Sequence, residues 1–316
     1  AHNPGRAFAW NVRQIDYLIE MGEKLGIEDW FSWGAICFAH PLRFDRDTAD
    51  KFARRVREGV ATGLTAMPVA GATTPVTVEG FVVVSSAEHV ATWITARAIN
   101  ADVPLSGSMW AGTVDMRTGH VSYSAFDAMF YAFAACEFIR RWCGIVIPVG
   151  GGEYCDAKAP GLYAALEKAY KAMTIAAFTG RHGSVGSGML DEGKVLAPVQ
   201  MLLERDLADG VGNFARGLDP TEDNVGLSSI LEVGIGLETN HLQTQHTLEH
   251  FRSCLWLPEF IERSGWTGWK DEQAMLDRIQ GRVNALLADY VKPEGREDAL
   301  AEMRGIVERA ARDLLG

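Results

Sequence analysis

Short apolar runs alternating with amphipathic stretches constrain this chain more than any other feature. The apolar runs Phe31–Phe38, Thr65–Ala70, Val103–Met109, Gly144–Val149 and Thr174–Thr179 read as buried strands, with weaker candidates at Ala7–Trp10 and Gly226–Val233. Helix-period segments lie between them at Val12–Leu25, Arg46–Thr62, Val78–Ile99, Ser124–Trp142, Leu162–Met173 and Val195–Val211. In the second of these, Asp50, Lys51, Arg54, Arg55 and Arg57 are expected on a solvent face, while Phe52 and Val56 point inward. A helix that returns the chain for another parallel strand is the β-α-β unit, so the class is α/β. A (β/α)8 barrel is the first expectation and a doubly wound open sheet the second. The barrel is short of strands, because five runs are clear and two are doubtful. The expected layout is one barrel domain over residues 1–290, with 291–316 as its C-terminal helical tail.

Composition excludes several classes. The net charge is −11 and no Lys/Arg run exceeds a pair, which argues against a nucleic-acid partner. No apolar run approaches the roughly 20 residues of a membrane helix. The five cysteines are scattered, odd in number and without CxxC spacing. That pattern argues against a disulfide framework or zinc site and for a reducing cytoplasm.

Chemistry in α/β enzymes gathers where strands end, because a rigid strand fixes position and the loop supplies the groups. The richest strand end here is Pro148-Val-Gly-Gly-Gly-Glu-Tyr154-Cys-Asp-Ala-Lys158. Cys155 reads first as a small residue filling the loop, and second as a thiol in the field of Lys158. Neither Gly150–Gly152 nor Gly183-Ser-Val-Gly-Ser-Gly188 has the ordered pattern of a phosphate loop. His241, His246 and His250 lack the H-E-x-x-H arrangement and read as hydrogen-bonding or pocket-wall residues, so no metal is expected. Aromatic residues recur along and at the ends of the strands: Trp33 lies inside the first clear one, Trp110 ends the third and Tyr154 the fourth, and Tyr123 and Phe126 follow the third strand's loop. Converging rings of this kind form a cage for a quaternary ammonium or sulfonium group.

With these residues in view, the chain resembles the trimethylamine:corrinoid methyltransferase family. The matching stretches are Met67-Pro-Val-Ala-Gly-Ala-Thr-Thr-Pro75, Val114-Asp-Met-Arg-Thr-Gly119, Asp156-Ala-Lys158 with Glu167-Lys168, Gly188-Met-Leu190, Glu232-Val-Gly-Ile-Gly236 and His246-Thr-Leu-Glu-His-Phe-Arg-Ser253. They follow the family's order at close to its spacing. The resemblance implies a TIM barrel that moves a methyl group from a methylated amine to a corrinoid (cobalamin) carried by a separate small protein. Tyr154 takes the place where the founding members carry pyrrolysine. That places the chain near the non-pyrrolysine branch, which favours quaternary amines such as glycine betaine. Val199 stands where members often carry an acid. The family is also longer at its N-terminus, so the chain reads as a short form, a fragment or a subunit completed by another chain.

The roles that follow are specific. Trp33, Trp110 and Tyr154 are expected to hold the cation, with Tyr123, His241 and His246 lining the site. Arg117 or His182 would bind a substrate carboxylate, and Glu153, Asp156 or Glu204 would tune the local field. Gly71, Gly107 and Gly151 would let the corrinoid approach closely. A homo-oligomer is expected. The rivals are an O- or S-demethylase of the same design and a non-catalytic subunit.

Overall fold

The computed structural model describes residues 6–181, 183–292 and 294–316. They divide into two compact units, one ending at Gly150 and rejoined by Asp289–Gly316, the other spanning Gly151–Ala288.

The first unit opens with β1 (Ala7–Phe8), α1 (Ile15–Leu25), β2 (Phe31–Ser32) and α2 (Arg46–Arg57). It continues through β3 (Thr65–Ala66), β4 (Val69–Ala70), α3 (Val78–Ile99), β5 (Ser108–Met109), β6 (Gly112–Val114), β7 (Val121–Ser122) and α4 (Phe126–Cys143). Caps set the helix boundaries. The Asp45 carboxylate accepts from Thr48 N–H to start α2, the Thr77 hydroxyl accepts from Gly80 N–H to start α3, and Gly144 ends α4 in the left-handed region at φ 75°.

The parallel ladders follow chain order. Ala7 pairs with Phe31, the Ile36 carbonyl accepts from Thr65 N–H, Thr65 pairs with Ser108, and Met109 bridges to Val149. That succession is what β-α-β winding produces, and it confirms the α/β class. The individual strands are two or three residues long, and no closed barrel is found among the described residues.

The second unit holds α5 (Leu162–Thr179), the hairpin β8 (Met189–Leu190) and β9 (Val195–Leu196), and α6 (Pro198–Phe214). Four further helices follow: α7 (Glu222–Val225), α8 (Leu227–Val233), α9 (Gln245–Cys254) and α10 (Trp269–Ala288). Its core joins Ala165 of α5, Leu202 and Leu203 of α6, Phe260, and Met275, Ile279 and Val283 of α10. The chain then returns to the first unit in α11 (Glu297–Leu315). No described helix is long and apolar enough to cross a membrane.

Three expectations need correction. Thr174–Thr179 is the last turn of α5, not a strand: its alanines favour helix, and the Thr174 and Thr179 hydroxyls donate back to the Tyr170 and Ile175 carbonyls at 2.6 Å. Gly226–Val233 is likewise helical, in α8. Lys51 leaves the solvent face it was expected to share. Its side chain is buried beside Phe52, and Nζ donates to the Ala9 and Ala35 carbonyls at 3.1 and 3.0 Å. An ammonium on a long stem can reach carbonyls left unpaired where short strands stop.

Candidate active site

In the first unit Trp110 and Tyr123 follow strands, and Trp33, expected inside a strand, lies just after the two-residue β2. Trp110 directly follows β5 and is half-buried, its indole laid against the backbone of Gly150. A β-carbon on Gly150 would come within 2.7 Å or less of three indole atoms, so only glycine leaves the ring its place. Tyr123 follows β7. Its ring covers Gly112 and its hydroxyl donates to the Met67 carbonyl at 3.4 Å. Trp33 lies just beyond β2, with its ring 5.7 Å from that of Phe31.

Behind these loops lies a polar cluster. Met67 N–H donates to His40 Nε2 at 3.0 Å, which puts the imidazole proton on Nδ1, donating to Glu88 at 2.8 Å. The other Glu88 oxygen accepts from Leu42 N–H at 2.8 Å. The loop after β3 is thereby pinned through one histidine to α3. The neighbouring His89 is fully buried, and neither ring nitrogen has a hydrogen-bond partner. Burial drives its pKa down to about 4, so it is a neutral ring. It fills the space beside Gly107, where a β-carbon would meet it at 3.1 Å. Gly71 is different: nothing lies closer than 3.8 Å to its β-carbon position, and its neighbours Val76 and Met116 are largely exposed.

In the second unit the candidate groups gather at the turn from Gly151 to Tyr154, closed by Tyr154 N–H donating to the Gly151 carbonyl at 3.2 Å. The ring of Tyr154 rests on Gly193 of the β8–β9 hairpin. Lys171, on α5 and fully buried, donates from Nζ to the Tyr154 carbonyl at 2.7 Å. Burial lowers its pKa to about 8, against the attraction of Glu192, Glu153, Cys155 and Glu167. Burial raises the Glu153 carboxyl, and Glu153 Oε2 is buried without a hydrogen-bond partner. Burial thus makes Glu153 harder to ionise than an exposed glutamate, while the Lys171 and Lys168 charges oppose that. Glu167 is also raised by burial, and its Oε2 accepts from Asp156 N–H at 2.6 Å. Asp156 is half-buried at the edge of this loop.

Glu204 is fully buried and ion-paired with Lys168, equally buried, whose Nζ also donates to the Met189 carbonyl at 2.5 Å. The second Glu204 oxygen accepts from Gly186 and Gly188 N–H at 3.0 and 2.9 Å. Its oxygens are occupied by this framework.

Cys155 is completely buried, and burial pushes its thiol up to about 11, which disfavours thiolate and supports the loop-filling reading. Iodoacetamide at pH 8 should therefore alkylate the exposed Cys143 and Cys254 and leave Cys155 intact, as read by peptide mass spectrometry. Ready labelling of Cys155 would show that the loop opens.

The remaining candidates lie elsewhere. Arg117 is on the Asp115–Gly119 turn with its side chain 93% exposed, 3.6 Å from Asp115. His241 Nδ1 is 3.2 Å from the Ser229 hydroxyl, and His246 Nε2 is 3.0 Å from the Asp223 carbonyl, so both join short helices of the second unit. His182 lies outside the described residues. Gly151 adopts φ +111° and faces Lys171. Among the described residues no group of three or more His, Cys, Asp or Glu is arranged to hold a metal ion.

Lys171, His40, Glu88 and His89 carry the two clusters, and the sequence did not single them out. The available signal was weak: Glu88-His89 interrupts an otherwise apolar helix, and Lys168 and Lys171 fall one turn apart on α5.

The family model for trimethylamine methyltransferase (MTTB) matches residues 19–314. The chain is 23% identical to the glycine betaine methyltransferase of Desulfitobacterium hafniense (strain Y51) over 277 residues, 87% of this chain and 57% of that protein. It is 24% identical over 287 residues to trimethylamine methyltransferase MttB2 of Methanosarcina mazei, covering 88% of this chain and 55% of that protein. A third relative, MttB of Desulfitobacterium hafniense (strain DSM 10664 / DCB-2), is 22% identical over 311 residues, 96% of this chain and 60% of its own length. The chain therefore spans somewhat over half the length of the curated relatives it matches.

Proposed function

This chain belongs to the trimethylamine methyltransferase (MTTB) family, and we propose that it removes a methyl group from a quaternary amine such as glycine betaine and passes it to a corrinoid on a partner protein. The observation that carries the reading is Trp110: an indole at a strand end, held over backbone that only glycine leaves free. An electron-rich ring face so fixed attracts a methylated ammonium by about 0.5–2 kcal/mol. Trp33 and Tyr123 extend the aromatic surface of the same unit. We take the (β/α) barrel as the architecture.

A quaternary ammonium leaves as a neutral amine and needs no proton donor, so a site without pyrrolysine and with Val199 on α6 suits it. When bound, the corrinoid supplies the cobalt nucleophile that accepts the methyl group. The residues fit its approach at Gly71, where the open β-carbon position and the exposed Val76 and Met116 leave an apolar face free. At Gly107 and Gly151 the equivalent space belongs to His89 and Lys171.

The test is incubation with glycine betaine, trimethylamine or carnitine and a reduced corrinoid protein, with the demethylated product followed by mass spectrometry. Trp110→Ala should raise the half-saturating amine concentration about two- to thirty-fold, the equivalent of one ring's cation–π attraction. No product from any methylated amine, with wild-type chain and active corrinoid protein, would defeat the proposal.

One observation favours a second reading. Glu153, whose carboxyl burial raises and whose Oε2 has no hydrogen-bond partner, stands next to Tyr154 and would supply the acid an ether leaving group requires. Demethylation of a methoxyarene, abolished by Glu153→Gln, would establish that reading instead.

A further inference from the structure

We infer that Lys171 is the positioning residue of the Gly151–Tyr154 turn, the buried cation that fastens this turn to α5. As a statement about methyl transfer it rests on the function proposed above. As a statement about the turn it rests on geometry alone.

Four observations converge on one ammonium. Lys171 is fully buried, yet its Nζ reaches a carbonyl of the turn and not solvent, donating to Tyr154 at 2.7 Å. Gly151, at the other end of the turn, sits in the left-handed region at φ +111°, and a β-carbon there would lie 3.5 and 3.6 Å from Lys171 Cε and Nζ. The lysine thus packs against the first residue of the turn and hydrogen-bonds the last. The acids whose charges act on it come from each neighbouring segment: Glu153 from the turn, Glu167 from α5, and Glu192 from the hairpin, with the Cys155 thiol beside them. The hairpin is itself bonded to the same loop, Glu192 N–H to the Cys155 carbonyl at 2.8 Å and Asp191 N–H to the Ala157 carbonyl at 2.9 Å.

Lys168 shows what a purely architectural lysine does on this helix. One turn earlier, it is used up between Glu204 and the Met189 carbonyl, joining α5 to α6 and the hairpin. Lys171 makes a different connection. It fixes the carbonyl of Tyr154, and through it the direction in which Glu153 and the Tyr154 phenol leave the backbone. A donor on a helix is a stiffer anchor than a glycine-rich turn can give itself, since glycine carries the largest backbone entropy.

The experiment is amide hydrogen exchange of residues 151–158 in the wild type, Lys171→Met, Lys171→Gln and Lys171→Arg, alongside steady-state methyl transfer from glycine betaine. In the wild type this segment should open together with α5 and the hairpin. Lys171→Met should speed its exchange at least ten-fold, with the rest of the second unit and the far-UV circular dichroism unchanged. Lys171→Arg should restore part of the protection, and Lys171→Gln, an uncharged donor, should fall between. Catalysis should change in KM far more than in kcat. Independent opening of the turn in the wild type overturns the inference, as does exchange within two-fold of wild type in Lys171→Met. A loosened turn with unchanged KM overturns its role in the reaction. Exchange is measured without substrate, so absence of methyl transfer from every amine defeats the proposed function and leaves the anchoring result standing.

Discussion

Lys168→Met should lower the unfolding free energy by about 3–5 kcal/mol, the cost of stranding a buried charge. Both members of the Lys168–Glu204 pair have no exposed side-chain surface. Without the ammonium, Glu204 keeps the N–H groups of Gly186 and Gly188, and the Met189 carbonyl keeps only the weak Cys155 thiol donor at 3.5 Å among those seen on it. Methionine fills much the same volume, so the loss reports the broken pair and not a cavity. Glu204→Gln should cost less, about 2–3 kcal/mol, because an amide oxygen still accepts from the glycine loop while the lysine keeps a dipole in place of a carboxylate. Urea unfolding followed by circular dichroism reads both. A loss under 1 kcal/mol for Lys168→Met would mean that water reaches the pair and that this region is looser than its burial indicates.

That prediction marks where reading the sequence reached its limit. The succession of strands was legible because parallel strands buried on both faces must be continuously apolar, and Phe31–Phe38, Thr65–Ala70 and Val103–Met109 all contain ladder positions. Thr174–Thr179 carries the same apolar density, but its alanines and its place on from Leu162 make it the end of a helix, a distinction that a six-residue window does not contain. Charged residues were the harder case. Lys51, Lys168 and Lys171 each fall on helices among other charges, where the ordinary expectation is a solvated face. What drew them inward was a set of carbonyls and carboxylates supplied by other segments of the chain, and helical periodicity carries no information about those. Glycine spacing was likewise ambiguous: Gly71 leaves open space, while Gly107 and Gly150 yield theirs to His89 and Trp110. Among the candidate aromatics, Trp110 was the most readable, since a ring at the end of a buried strand has few places to go.

Gly150→Ala should cost about 1–3 kcal/mol of stability and raise the half-saturating amine concentration as far as Trp110→Ala does, about two- to thirty-fold, because the added methyl group takes the place of the Trp110 ring. The backbone here has little room to move aside: Gly150 N–H donates to the Met109 carbonyl at 2.9 Å, and Met109 N–H donates to the Pro148 carbonyl at 3.0 Å. Shifting Gly150 would break the last rungs joining this run to β5, so the indole must yield. A double-mutant cycle separates the two ways the substitution could act. If it acts by displacing the indole, Gly150→Ala should do little further harm to amine binding once Trp110 is already alanine, and its stability cost should shrink as the clash disappears. Strict additivity of the two changes in binding would show that Gly150 matters through its backbone alone, and would remove Trp110 from the position on which the cation-binding proposal depends.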